Sequence, residues 1–192
     1  MSIALTLKSY ISSRHSNEQV MLRYAESGNK ALLTKLYTAC GNDLYHFILT
    51  LSDPITAQDI SQKTWLKVIE KKHLFKDSGQ FKAWLFTLAR NQLIDELRQG
   101  KSSSGDIESL IDNKPTLDNK HERADMDTLF NNALLSLPFE QREAFCLQQE
   151  GFSLTDIARI THCGTETVKS RLRYAKQSLS KQLETCLEIP HD

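Results

Sequence analysis

The residues with the clearest capacity for chemistry are cations near the carboxyl end of the chain. Five basic side chains occur within thirteen residues, with no acid among them: Lys169, Arg171, Arg173, Lys176 and Lys181. Basic side chains on one helix face can neutralise phosphates, while residues near the helix N-terminus can reach base edges in the major groove. The simpler alternative is a solvated helix face that carries a charge run.

The elements that precede this segment favour DNA binding. Ser153, followed three residues later by Asp156, predicts a capping box at the start of a short helix. Residues 161–163 predict a turn, and a second helix begins at Gly164 or Thr165. Apolar residues form one stripe along this second helix: Val168, Leu172, Ala175 and Leu179. The pattern predicts a helix-turn-helix, whose second helix meets the DNA.

A second basic segment, over residues 71–101, is interleaved with aromatic side chains. Cations that follow a backbone, beside aromatics that stack on bases, are typical of single-stranded nucleic-acid binding. Phe81 and Trp84 fit a buried helical stripe with Leu85 and Leu88, so burial accounts for most of these rings. Phe75 lies in a polar loop before residues 77–79. We therefore predict that its ring is exposed and contacts a base.

Residues 54–72 predict an amphipathic helix with a protein-binding face. Ile60, Thr64, Val68 and Ile69 recur at helical spacing and are expected to face inward. The outer face is then formed by four residues: Asp59, Gln62, Lys63 and part of Trp65. Aromatics are enriched in interface cores, so this face suits a protein partner. The alternative is that Trp65 belongs to the hydrophobic core.

The whole pattern predicts an all-α protein of two small helical domains. Apolar residues recur at three and four along almost every segment, and no strand-like alternation is convincing. Residues 99–124 are instead rich in Ser, Asp and Asn, and residues 101–130 carry four basic and seven acidic residues. We predict helical domains over residues 16–98 and 128–186, joined by a flexible acidic linker over 99–127.

Composition and motifs argue against several classes of protein. The 24 basic and 24 acidic residues cancel, which excludes a chain-wide basic coat but not a local basic patch. The N-terminus does not read as a signal peptide, and no run approaches the roughly 20 apolar residues of a spanning helix, so we expect a cytoplasmic protein without membrane insertion. The four cysteines are scattered and predict reduced thiols. No catalytic arrangement, metal site or cofactor site is expected.

Four stretches together resemble a known family. They are QDISQKTWLKV, FKDSGQFKAWLFTLARNQLID, LPFEQREAFCLQQEGFSLTDIA and GTETVKSRLRYAK, in this order. The chain resembles a bacterial RNA polymerase sigma factor of the sigma-70 superfamily, of the extracytoplasmic-function (ECF) type. A helix-turn-helix alone fits many repressors, but four motifs in the family's order and spacing are highly specific. The resemblance implies a subunit that directs core RNA polymerase to promoters and helps to open them.

The resemblance also implies roles for individual residues. The helix that docks on the clamp-helix coiled coil of the polymerase β′ subunit is matched by Asp59, Gln62 and Trp65. The pocket that captures a flipped base of the downstream promoter element is matched by Phe75, Lys76, Asp77, Ser78 and Asn91. The helix that contacts the upstream element is matched by Thr165, Glu166, Thr167, Lys169, Ser170, Arg171, Arg173, Tyr174 and Lys176. The family carries no catalytic residue, metal or cofactor.

The expected partners are core RNA polymerase, through its β′ clamp helices and β flap, promoter DNA in duplex and melted form, and an anti-sigma factor. Three residues depart from the family pattern. Lys63 stands where Glu is usual, His162 where Gly is frequent, and Tyr174 where Arg is frequent. Two other readings compete: a free-standing helix-turn-helix regulator, and a helical adaptor that binds only proteins.

Overall fold

The computed structural model describes residues 17–76, 80–99 and 126–187. Every regular element in these ranges is helical, and they form two compact units, so the predicted all-α, two-unit architecture is confirmed. Residues 100–125, most of the predicted linker, lie outside the described residues, as do Asp77 and Ser78. Gln99 still belongs to the helix before this gap, and Met126 and Asp127 belong to the helix after it. The domain limits at 98 and 128 therefore stay predictions. No helix in the described part of the chain is long and apolar enough to cross a membrane.

The first unit consists mainly of four α-helices and one short 3₁₀ turn. Their bounds are 17–27 (α1), Lys30–Leu51 (α2), Pro54–Lys71 (α3), Lys72–Leu74 (the 3₁₀ turn) and Phe81–Gln99 (α4). Gly28 ends α1 with φ +66° and donates its N–H to the Tyr24 carbonyl at 2.9 Å. A left-handed residue at this position is the usual helix terminator, and glycine adopts it without a Cβ penalty. Pro54 begins α3, where its missing N–H costs nothing.

The core of the first unit follows the helical periodicity of α2. Leu36, Cys40, Leu44 and Ile48 are all buried, and the rings of Phe47 and Phe86 pack at 5.0 Å between centroids. One polar bond crosses this interior. The Gln92 Nε2 of α4 donates to the Thr64 Oγ1 of α3 at 2.7 Å. Since buried polar groups must be paired, this bond fixes the position of α3 against α4.

Within the described residues, the second unit contains four further helices, the last two of which form the predicted helix-turn-helix. Their bounds are Met126–Leu135 (α5), Phe139–Gln149 (α6), Leu154–Thr161 (α7) and Thr165–Leu187 (α8). The capping box is confirmed: the Asp156 N–H donates to Ser153 Oγ at 3.1 Å, and the Ser153 N–H donates to Asp156 Oδ2 at 3.2 Å. His162 ends α7 in the left-handed region at φ 54°, a conformation that glycine adopts more readily than other residues.

Helix α8 packs through the stripe that the sequence indicates. Val168, Leu172, Ala175 and Leu179 are all buried. A buried cation also joins α6 to the end of α5, because Arg142 Nη1 donates to the Leu135 carbonyl at 2.8 Å. Burial lowers the pKa of Arg142 from its ordinary value. The opposite side of α8 carries exposed cations, among them Lys169, Arg173 and Lys176.

Candidate nucleic-acid interface and docking groove

The exposed side of α8 carries most of the predicted upstream-element residues. Ser170 and Arg171 are only partly exposed. The residues classed as exposed on this side are Thr165, Glu166, Thr167, Lys169, Arg173, Tyr174 and Lys176. A basic helix face in solvent, following a helix-turn-helix turn, has the geometry that enters a major groove. The structure therefore brings these predicted residues together on one surface.

The cations of this surface have different partners. Lys169 Nζ pairs with Glu166 Oε1 at 2.6 Å, one turn earlier on the same helix, and both side chains are well exposed. Such exposed pairs contribute about 0–1 kcal/mol, so a phosphate or base edge can displace Glu166. Arg171 is different: its side chain is 17% exposed, and Nη2 pairs with Glu140 Oε2 of α6 at 2.7 Å.

Arg173 and Tyr174 form an exposed pair on the third turn of α8. The Arg173 guanidinium lies 4.9 Å from the centroid of the Tyr174 ring, and its Nη2 donates to Tyr174 Oη at 3.3 Å. Tyr174 is a large, exposed, partly apolar side chain on an otherwise polar surface. The surface can therefore offer an aromatic contact beside its cations.

The prediction that the Phe75 ring is exposed is wrong. Phe75 is 7% exposed, and its ring packs against Trp84 at 5.5 Å and Phe81 at 6.0 Å between centroids. The 3₁₀ turn is the physical reason, because it turns the chain back and the Phe75 N–H donates to the Lys72 carbonyl at 3.2 Å. A ring buried in this cluster has no free face for a base. Phe75 instead belongs to the hydrophobic core of the first unit.

The other residues of the predicted downstream site are partly described. Lys76 and Asn91 are exposed, whereas Asp77 and Ser78 fall outside the described residues. Two further cations of this segment have contacts within the protein. Lys82 Nζ pairs with Asp43 Oδ2 of α2 at 2.8 Å, and Lys72 Nζ lies 5.3 Å from the centroid of the Tyr24 ring. The basic residues of 71–101 are therefore not all available to nucleic acid.

Helix α3 presents the predicted acidic-amide face, with two corrections. Asp59 is half-exposed and Gln62 is exposed, as expected. Trp65 is only 8% exposed, and its ring centroid lies 5.2 Å from that of Tyr37, so it forms a floor rather than part of the outer face. Ile69 was expected to face inward, but it is exposed. The helical periodicity of α3 alone could not predict that Trp65 is buried and Ile69 exposed, because the burial of each side chain depends on how α2 packs against α3.

Helices α2 and α3 enclose a cleft that periodicity alone does not reveal. Its volume is about 830 Å³, and Trp65 and Gln62 line it together with three large, exposed apolar side chains. These are Tyr37, Leu66 and Ile69. We call this cleft the docking groove. One feature of the sequence could have indicated this cleft. Leu66 and Ile69 are spaced i, i+3 and follow Gln62 on the same side of α3, outside its buried stripe.

The Asp59 carboxylate does not face solvent as a free charge. Lys63 Nζ pairs with Asp59 Oδ2 at 2.5 Å, and both side chains are 48% exposed. Lys63 is one of the three residues that depart from the family pattern, and its charge partly offsets that of the Asp59 carboxylate. In the part of the chain that the structure describes, no group of three His, Cys, Asp or Glu could hold a metal ion.

Comparison with known proteins agrees with both units. The family model for Sigma-70 region 2 matches residues 36–103, and that for Sigma-70, region 4 matches residues 128–179. The ECF RNA polymerase sigma factor SigL of Mycobacterium tuberculosis is 31% identical over 166 residues, which cover 83% of this chain and 93% of SigL. SigC of the same species is 29% identical over 167 residues, covering 83% of this chain and 88% of SigC.

A solved structure shares the fold. The sigma factor RpoE, in complex with the anti-sigma factor NepR from Bartonella quintana, matches with a TM-score of 0.62 and 30% identity, covering 79% of this chain and 96% of RpoE. The chain belongs to the sigma-70 family of RNA polymerase sigma factors, in its extracytoplasmic-function group. It is a promoter-specificity factor for transcription initiation, so the expectation drawn from its four motifs is confirmed.

Proposed function

We propose that the two units divide promoter recognition between three surfaces. The docking groove binds the β′ clamp helices of core RNA polymerase. The loop after the 3₁₀ turn, with Asn91, contacts the melted downstream element. The exposed face of α8 contacts the duplex upstream element, and the second unit also contacts the β flap. One observation supports the proposal: exposed apolar side chains line the docking groove, whereas exposed cations lie on α8. The proposed location is the cytoplasm.

The docking groove suits a helical protein partner for a physical reason. Its lining combines apolar side chains with the exposed amides of Asn42, Gln58 and Gln62, which is the composition of an interface core with a polar rim. Leu66 is 58% exposed in the free protein, so covering it by a partner removes apolar area from water. Tyr37 and Trp65 add aromatic area, which is enriched among residues that dominate binding.

Binding to core polymerase tests this assignment. Leu66→Asp should weaken binding at least about tenfold, because it places a charge in a desolvated contact. Ala39→Asp is the matched control, since Ala39 is exposed on α2 and does not line the docking groove. Circular dichroism should show both variants folded. Equal affinities for the two variants would remove the docking groove from the proposal.

The α8 assignment is tested by salt dependence. Arg173→Ala and Lys176→Ala, at exposed cations, should each reduce the salt slope of duplex binding by roughly one. Lys169→Ala should cost about 1–3 kcal/mol on the preferred sequence and relax the preference. Gln177→Ala, at an exposed uncharged residue of the same helix, is the control. Unchanged slopes for all the cation variants would show that α8 does not meet the DNA.

The downstream surface is tested by promoter opening. Asn91→Ala should lower permanganate reactivity of the downstream element while closed-complex formation is kept, because Asn91 is exposed and contributes to pairing with an extruded base. Loss of closed complexes as well would assign Asn91 to an earlier step.

An anti-sigma factor is the proposed regulator of this chain. RpoE, which shares its fold, was solved with the anti-sigma factor NepR. We expect such an inhibitor to cover the docking groove, since this is where exposed apolar area is concentrated. The inhibitor and core polymerase should compete for this chain, and Leu66→Asp should weaken the binding of both. That result would support a shared surface. An inhibitor that binds Leu66→Asp normally would show a separate one.

A further inference from the structure

Arg171 differs from the other basic residues of α8 in where its charge lies. Its side chain is 17% exposed, whereas that of Lys169 is 54% exposed. Two of its guanidinium nitrogens already have protein partners. Nη2 pairs with Glu140 Oε2 at 2.7 Å, and Nη1 donates to Cys163 Sγ at 3.4 Å. The guanidinium is therefore engaged within the unit rather than presented to solvent.

The three residues of this cluster come from three different elements. Glu140 lies in the first turn of α6, Cys163 in the turn between α7 and α8, and Arg171 in the second turn of α8. The Cys163 N–H also donates to the Ala158 carbonyl of α7 at 3.1 Å, which fixes the turn. Arg171 thus joins the DNA-facing helix to a scaffold helix and to the turn that sets its direction.

The two ion pairs of α8 respond differently to an approaching phosphate. Glu166 and Lys169 are neighbours on an exposed helix surface, where water and salt weaken the pair. In the charge-assisted Arg171–Glu140 pair only the cation is shielded, since the Arg171 side chain is 17% exposed and that of Glu140 is 56% exposed, and the acceptor belongs to another helix. Releasing Arg171 would break this tertiary contact, whereas releasing Lys169 breaks only a local one. Lys169 is therefore available to contact DNA, whereas Arg171 is not.

We propose that Arg171 is a positioning residue for upstream-element recognition. With Glu140 and Cys163, it holds α8 at the angle that brings Lys169 and Arg173 to the DNA, and it does not itself neutralise a phosphate or contact a base. This deepens the proposed function and rests on α8 being the helix that meets the duplex. It replaces the base-contacting role that the family resemblance implies for Arg171.

The test measures duplex binding by the holoenzyme, assembled with core polymerase, as a function of salt. Arg171→Gln and Glu140→Gln should each lower affinity by about tenfold, and the double variant should be no weaker than either, because both remove one contact. The salt slope should stay at the wild-type value in all three. Arg171→Lys keeps a charge that can still reach Glu140, so it should recover part of the affinity that Arg171→Gln loses.

Two controls separate this inference from the function on which it rests. Gln177→Ala, at an exposed uncharged residue of the same helix, should not lower affinity. Arg173→Ala should reduce the salt slope by roughly one. Binding is compared at a temperature where circular dichroism shows every variant folded, so lost stability cannot imitate lost positioning.

The outcomes are distinct. A salt slope reduced by about one in Arg171→Gln, with unchanged or higher affinity in Glu140→Gln, would make Arg171 a direct DNA contact and overturn the inference alone. Additive losses in the double variant would overturn it as well. If Arg173→Ala and Lys176→Ala have no effect on the slope, the assignment of α8 fails instead.

Discussion

Helix α8 and the segment from Lys72 to Phe86 both place cations beside aromatic side chains, yet they use them in opposite ways. On α8, Tyr174 is exposed and Arg173 stacks on it in solvent. In the first unit, Phe75 is buried against Phe81 and Trp84. A mixed basic-aromatic composition therefore has no single meaning. Its use depends on whether another element covers the rings.

The exposed surfaces of the two units also differ in chemical character. The second unit presents a polar, cationic surface, whereas the first presents exposed apolar residues between two helices. Charged surfaces act over several ångströms and depend on salt, while apolar surfaces need close contact. The first unit is therefore suited to a lasting protein contact, and the second to a salt-dependent contact with DNA.

The largest effect should come from Phe75, because the contrast with the exposed Tyr174 depends on its burial. Phe75→Ala should lower the free energy of unfolding by about 3–5 kcal/mol, because it leaves a cavity in the aromatic cluster. Chemical denaturation measures this. Leu74→Ala, at the neighbouring exposed residue, should stay within about 0.5 kcal/mol of wild type. Unchanged stability with impaired promoter opening would restore an exposed, base-contacting Phe75.

The buried bond between α3 and α4 should give the next largest effect. Thr64→Val removes the acceptor of the Gln92 amide at 2.7 Å and should cost about 1–3 kcal/mol. Adding Gln92→Leu should recover part of this loss, since neither polar group is then left buried alone. A double-mutant cycle from denaturation curves measures the coupling. Full additivity would show that the bond does not link the two helices energetically.

The capping box offers a matched measurement in the second unit. Ser153→Ala should cost about 1 kcal/mol, because an N–H of the first turn of α7 loses its acceptor. Thr155→Ala, at an exposed residue of the same turn, should have little effect. Thermal unfolding followed by circular dichroism compares them. Equal midpoints for the two variants would contradict a stabilising cap.

The smallest expected effect concerns Lys63, which follows the groove residue Gln62 on α3. Its exposed pair with Asp59 contributes about 0.3–0.5 kcal/mol, so Lys63→Gln should raise affinity for core polymerase by about twofold as the Asp59 carboxylate is released. Competition against the wild-type protein for a limiting amount of core enzyme can resolve this difference. Weaker binding would mean that Lys63 itself contacts the polymerase.

Several features of this protein could be predicted from the sequence because they depend on residues a few positions apart. The helices, the Ser153–Asp156 capping box and the buried stripe of α8 follow from spacing and local hydrogen bonding. The exposed cationic face of α8 follows in turn, since a helix that buries one stripe presents the opposite side. The family motifs belong here too, because they are strings of residue types in order.

Only the tertiary structure decided which side chains are free to meet a partner. Phe75 is buried by rings six and nine residues later in the chain. Ile69 and Leu66 stay exposed because α2 leaves a groove beside them. The guanidinium of Arg171 pairs with an acid 31 residues earlier in the chain. Helical periodicity gives the direction of a side chain on its own helix. It contains no information about which other element lies in that direction, and that neighbour determines whether the side chain is buried, paired or exposed.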